Sequence, residues 1–141
     1  MCSDHRLCGL SAWTLHVACL LERSTWIVRI LISVWPLLYR EAIALSVRAL
    51  RPLHEVRIAP PGAAEGEIAR FRPHLIVRTD DDGLDPEALA GVPTNVEVLY
   101  TDSMATRIAR PGRSDEKPDA CLDDLLAAID ETGRLVSADG G

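Results

Sequence analysis

The stretch Trp26–Ser33, WIVRILIS, constrains this chain more than any other. It is β-branched and almost uniformly apolar, the pattern of a strand buried on both faces. Such a strand needs a covering layer above and below, which calls for a sheet with helices on both sides. Pro36 ends the run and opens the next element. Leu37–Arg51 reads as a helix with Tyr39, Ile43, Val47 and Leu50 on one stripe and Ala42 and Ala49 beside it. Arg40, Arg48 and Arg51 lie on the other side, and Pro52 stops the helix. In a strand-loop-helix unit the loop after the strand is where chemistry usually sits. Here it offers Ser33, Val34, Trp35 and Pro36, with no acid, no base and no glycine.

The alternation continues. HEVRIA (His54–Ala59) predicts a second strand and PPG a turn. Ala63–Phe71 reads as a short helix with Ala64, Ile68 and Phe71 facing inward, weakened by Gly66. RPHLIVRT supplies a third strand at Leu75–Thr79. After DDDG, LDPEALAG predicts at most a short helix, with Asp85 as N-cap and Pro86 at its first position. VPTNVEVLYT carries a fourth strand near Val96–Thr101, and Ala105–Arg110 is a candidate fifth. PGRSDEKPD reads as a polar loop. Asp119 is the expected cap of a last helix, in which Leu122, Leu125, Leu126 and Ile129 follow i, i+3, i+4, i+7 and Gly133 closes the element. The expectation is an α/β three-layer domain over residues 26–133, a mostly parallel sheet of about five strands with helices on both faces. Residues 134–141 are expected to form a flexible tail.

At 141 residues, 48% hydrophobic and 26% charged, the chain is long enough for one domain with a real core and is not of disordered composition. Aromatics are 4%, so Ala, Leu, Ile and Val must fill that core. The net charge of -6 argues against nucleic-acid binding. The charge is uneven. Residues 26–78 hold eight Arg against four Glu, and residues 79–141 hold fifteen acids against five bases. Two readings stand for this asymmetry, namely two solvated faces of one domain or a bipolar surface that docks a partner. Lys117 is the single lysine among fifteen basic residues, a usage that suggests a GC-rich coding sequence.

Residues 1–25 are apolar but do not form one membrane span. Glu22, Arg23 and Arg29 interrupt the longer apolar run from Leu7 to Leu38, and Cys8–Leu21 is shorter than the ~20 residues a spanning helix needs. MCSDHR lacks a signal-peptide design. The segment reads as a loosely attached appendage or a misplaced start, with a sheet-covering helix and a membrane-surface segment as alternatives. Cys2, His5 and Cys8 are a conceivable metal set, against which stands the plainer reading of Cys2, Cys8, Cys19 and Cys121 as free thiols in a reducing cytosol. A cytoplasmic location follows from that reading.

The order strand-helix-strand-helix-strand, with ILISVWPLLYREAIALSVRAL, EVRIA and RFRPHLIVRT, resembles a response-regulator receiver domain, a CheY-like, flavodoxin-like fold. The likeness covers about residues 27–101, and the room after the third strand is short for the family's later helices. The resemblance implies an acidic pair at the end of the first strand that holds Mg²⁺ and a phosphoacceptor Asp at the end of the third. Those positions fall on Ser33 and Val34, and on Thr79. Thr101 stands near the family's Ser/Thr position, and Lys117 is the candidate phosphate-pairing lysine. Asp80, Asp81 and Asp82 follow Thr79, and a register shift would make Asp80 the acceptor. The alternatives are a Mg²⁺-dependent acidic site or a solvated turn ended by Gly83.

His5, His16, His54 and His74 have no nucleophile in a recognisable motif, and the GxSxG, HExxH, GxxxxGK[ST] and GxGxxG patterns are absent. Trp35 and Tyr39 either pack over the strand end or form a partner-binding anchor. The resulting expectation is a receiver-like signalling or regulatory module without phosphoacceptor chemistry. It would need no cofactor and would work through a protein partner or a homodimer. A small protein with an acidic Mg²⁺ site, or one held at a membrane by residues 1–25, is the alternative.

Overall fold

The computed structural model of this chain describes residues 27–99 and 105–140. The appendage, its cysteines and histidines, and Thr101 lie outside the described residues. The elements run β1 (Arg29–Ile32), α1 (Leu37–Leu50), β2 (Glu55–Ile58), a 3-10 turn (Pro61–Ala63), α2 (Ala64–Phe71), β3 (Leu75–Thr79), α3 (Pro86–Leu89), β4 (Thr94–Val98), β5 (Thr106–Arg110), β6 (Arg113–Lys117) and α4 (Leu122–Gly140).

The sheet has six strands in the order β2-β1-β3-β4-β5-β6. Pairings among β2, β1, β3 and β4 are parallel, but β4–β5 and β5–β6 are antiparallel. The expected mostly parallel, flavodoxin-like sheet of about five strands is therefore wrong, and the sheet is mixed. The reason is connection length. Seven residues separate β4 from β5, and a parallel return needs a crossover of about a dozen or more. The chain can only turn back on itself.

The stretch read as a polar loop is the second half of a hairpin. Arg110 pairs with Arg113 across Pro111 and Gly112, and Gly112 has φ +79. Pro at the second position and a positive-φ Gly at the third suit a type II turn. The strand that follows, RSDEK, contains no apolar residue. It forms the sheet edge, where charged side chains discourage further pairing.

Two apolar clusters sandwich the sheet. Val28, Ile30, Ile32, Val77, Val96 and Ile108 pack beneath α1 and α4. Leu31 and Ile76 face the other way, against Ala64, Ile68 and Phe71 of α2 and Leu84 and Val92 around α3. β1 alternates between the two, which explains its uniformly apolar sequence. Asp85 caps α3 as expected, accepting the Glu87 N–H at 3.0 Å.

Two helices differ from the sequence reading. In α1 the core-facing residues are Arg40, Ala44 and Val47, while Tyr39, Ala42, Ala49 and Leu50 are exposed. The helix is rotated by about one residue from the expected stripe. Arg40 tolerates burial because its Nη1 donates to the Val34 carbonyl at 3.3 Å and its methylenes cover apolar surface. In α4, Gly133 does not close the helix. It lies within it against Val28, where a Cβ would stand 3.5 Å from Val28 Cγ2. The start of α4 is held by Asp124, which accepts the Cys121 N–H at 2.9 Å, and not by Asp119.

Candidate functional site

In an open α/β sheet, ligands bind outside the carboxyl ends of the parallel strands, where the strand order reverses. Here that point lies between β1 and β3, since the chain moves from β1 outward to β2 and then back past β1 to β3. Ser33 and Val34 follow β1 directly, Thr79 is the last residue of β3 and Asp80 follows it, and the hydrogen bonds between the two segments bring them together.

The crevice between them is stitched shut. Ser33 N–H donates to the Val77 carbonyl at 2.8 Å, and Trp35 N–H donates to Thr79 Oγ1 at 3.0 Å. Ser33, Val34 and Thr79 are all buried. Val34 sits in the apolar cluster under α1. The Ser33 hydroxyl is buried and has no hydrogen-bond partner among the described residues, a cost of about 1–3 kcal/mol. Mg²⁺ demands hard oxygen ligands in near-octahedral geometry. A valine and an enclosed hydroxyl do not supply them, so the residues present do not fit the ion that the receiver resemblance implies.

The acidic run beyond β3 is divided rather than convergent. Asp82 is fully enclosed and paired with Arg78 through two hydrogen bonds of 2.9 Å. It also accepts the Leu84 N–H at 3.0 Å, fixing the turn. Asp80 donates its backbone N–H to Val98 at 2.9 Å, and Asp81 is exposed. Among the described residues no three His, Cys, Asp or Glu side chains are grouped to hold a metal ion.

Arg78 is also bound to Glu97 at 3.1 Å, and Glu97 to Arg107 at 3.0 Å, which reaches Glu116 at 3.3 Å. These four residues are direct cross-strand neighbours on β3, β4, β5 and β6. They form a row of alternating charge on the face that carries α2 and α3. Burial alone pulls the Arg78 guanidinium down, but the hydrogen bonds and charges of Asp82 and Glu97 outweigh it and hold the group above its ordinary value.

Lys117 occupies the same cross-strand row as Thr79, three strands away through Val98 and Thr106. At ~4.8 Å per strand that is about 14 Å. It is paired with Asp124 at 2.9 Å. That hydrogen bond, with those from Cys121, pushes the Asp124 carboxyl down to about 2. Lys117 is thus committed elsewhere than at the β3 end. An apolar groove of about 300 Å³ opens between α1 and α4, floored by Val77, Val96 and Ile108 with Cys121 among its lining residues.

His54 and His74 serve the opposite end of the strands, at the start of β1. His54 Nδ1 accepts the Val28 N–H at 3.3 Å, and His74 Nδ1 accepts the Arg29 N–H at 2.9 Å. Burial holds both imidazoles below their ordinary value.

Trp35 and Tyr39 are half exposed, at 55% and 50%. They are not isolated. The large apolar side chains exposed in the described residues are Ile27, Trp35, Leu37, Leu38, Tyr39, Leu45, Leu50, Leu53 and Leu135, and seven of these nine lie between Trp35 and Leu53. The sequence reading named Trp35 and Tyr39 and missed Leu38 and Leu45, the most exposed at 73% and 69%. Both stood out in the sequence as leucines that the expected core stripe did not use. Among the described residues no helix is long and apolar enough to cross a membrane.

No family model, curated protein or solved structure matches this chain.

Proposed function

We propose that this chain is a non-catalytic signalling or regulatory module, receiver-like in its first three strands, that works by binding protein through the outer face of α1. The observation that carries this reading is the concentration of exposed large apolar side chains along one segment, from Trp35 to Leu53. Scattered exposed leucines need no explanation, whereas a contiguous apolar patch on a soluble surface marks an interaction site. The enclosed strand ends support the same reading from the other side. Ser33, Val34 and Thr79 spend their positions on packing and hydrogen bonding, and Asp82 is neutralised by Arg78. The Mg²⁺-dependent acidic site is disfavoured for that last reason.

A photo-crosslinking side chain placed at Leu38 or Leu45 in the native cell tests this. A discrete protein adduct at these positions, with none at exposed Glu87 near α3, is the expected result. No adduct at either leucine contradicts the reading.

A further inference from the structure

The outer face of α1 carries a repeat. Leu38, Ala42, Leu45 and Ala49 are all exposed and follow i, i+4, i+7, i+11, so they lie on one line along the helix. Large and small residues alternate on that line. Opposite it, Arg40, Ala44 and Val47 face the core. Glu41 and Arg48 flank the line on its β2 side, where Arg48 Nη2 reaches the Val56 carbonyl of β2 at 3.1 Å. Neither forms an ion pair within the described residues.

We infer that the partner of this face is a second copy of the chain, docked α1 against α1 about a twofold axis with the helices antiparallel. This rests on the protein-binding reading of the same face and names its occupant. A twofold axis through the middle of the helix, between Ile43 and Ala44, sets Leu38 over Ala49 of the other copy and Leu45 over Ala42 of the other copy. Each leucine then meets an alanine, and the two helices can approach closely without overpacking. The contact is isologous and closes on itself.

Charge selects the same arrangement. Flanks on the same side of two helices become neighbours under this axis. Glu41 then lies about 3 Å along the axis from Arg48 of the other copy, given ~1.5 Å of rise per residue, and the pair forms twice. A parallel pairing would set leucine against leucine and alanine against alanine, which leaves gaps, and would carry the two Glu41–Arg48 flanks to opposite sides of the interface, where they cannot pair. The ends agree as well. Trp35, just before the helix, falls near exposed Pro52 and Leu53 of the other copy, just after it, and supplies an aromatic anchor at each end.

Sedimentation velocity over a concentration series of the full chain tests this. The expected behaviour is a monomer–dimer equilibrium. Leu45→Glu should weaken dimerisation by roughly 100-fold or more. It should leave the circular dichroism unchanged, because Leu45 is exposed. Glu41→Arg should weaken it roughly tenfold, and Glu41→Arg with Arg48→Glu should return it to within about threefold of the parent. These two residues are seven apart on one helix, so rescue has to come from across the interface. A monomer at every concentration, a dimer indifferent to Leu45→Glu, or a charge swap that fails to rescue each overturn the inference. If the chain is monomeric while a crosslinker at Leu38 still captures a different protein, self-pairing falls and the functional reading stands. If neither occurs, both fall.

Discussion

Arg78 is the residue on which most of the local order depends. It is 6% exposed, and both carboxylates it serves are enclosed, Asp82 fully and Glu97 largely. A buried charge is tolerable only when paired, and removing one partner strands the other. Arg78→Met should therefore cost about 3–5 kcal/mol in urea unfolding. Arg113→Met should fall within about 0.5 kcal/mol of the parent, since exposed ion pairs contribute little; Arg113 is 57% exposed in its side chain. An Arg78→Met protein of parental stability would mean that the row of alternating charge contributes nothing. This role was not legible in the sequence. LIVRT shows an arginine inside an apolar strand, but only the register that places Glu97 beside it and the turn that folds Asp82 back make its burial affordable.

At the scale of elements, β1 is clamped at its entry by two histidines that stand immediately before β2 and β3. A ring nitrogen that accepts a backbone N–H must be unprotonated. Burial lowers the folded-state value of both groups, so the native state binds fewer protons than the unfolded chain. The stability they contribute is present above the unfolded value of about 6.5 and is lost as pH falls through the lowered folded value. Urea midpoints should decline as pH falls from about 7 to about 5. Replacing both with asparagine, whose side-chain oxygen accepts without titrating, should flatten that decline. A decline of unchanged slope in the double variant would show that other groups cause it.

Element boundaries were legible where burial dictated the sequence. The strands around Ile30, Ile32, Leu75 and Val77 are apolar because helices cover both faces, and that pattern has few alternatives. β6 was not legible, because an edge strand that is largely exposed on both faces carries no apolar alternation; only the Pro111–Gly112 turn marked it. The rotation of α1 escaped for a different reason. Leucine, isoleucine and valine occur all round that helix, so periodicity alone does not choose which stripe faces the core, and Arg40 reaches the Val34 carbonyl from a buried position that charge would have forbidden.

At the scale of the whole molecule, the seven-residue connection after β4 decides the architecture. It turns the chain back, converts a parallel sheet into a mixed one, and ends it in a charged hairpin. The β1–β3 crevice, where an α/β sheet ordinarily works, is closed by two backbone N–H donors, and Val34 beside it is buried in the apolar cluster under α1. The exposed apolar surface lies instead along α1. Ser33 and Val34, at the positions where a receiver would carry its Mg²⁺ ligands, do not fit that ion.

The most direct test of this account is the intact mass of the full chain after incubation with acetyl phosphate and Mg²⁺. The mass should remain that of the unmodified protein. A gain equal to one phosphoryl group that disappears in Asp80→Ala would contradict it, because the strand ends would then be open to the chemistry that their packing is argued to exclude.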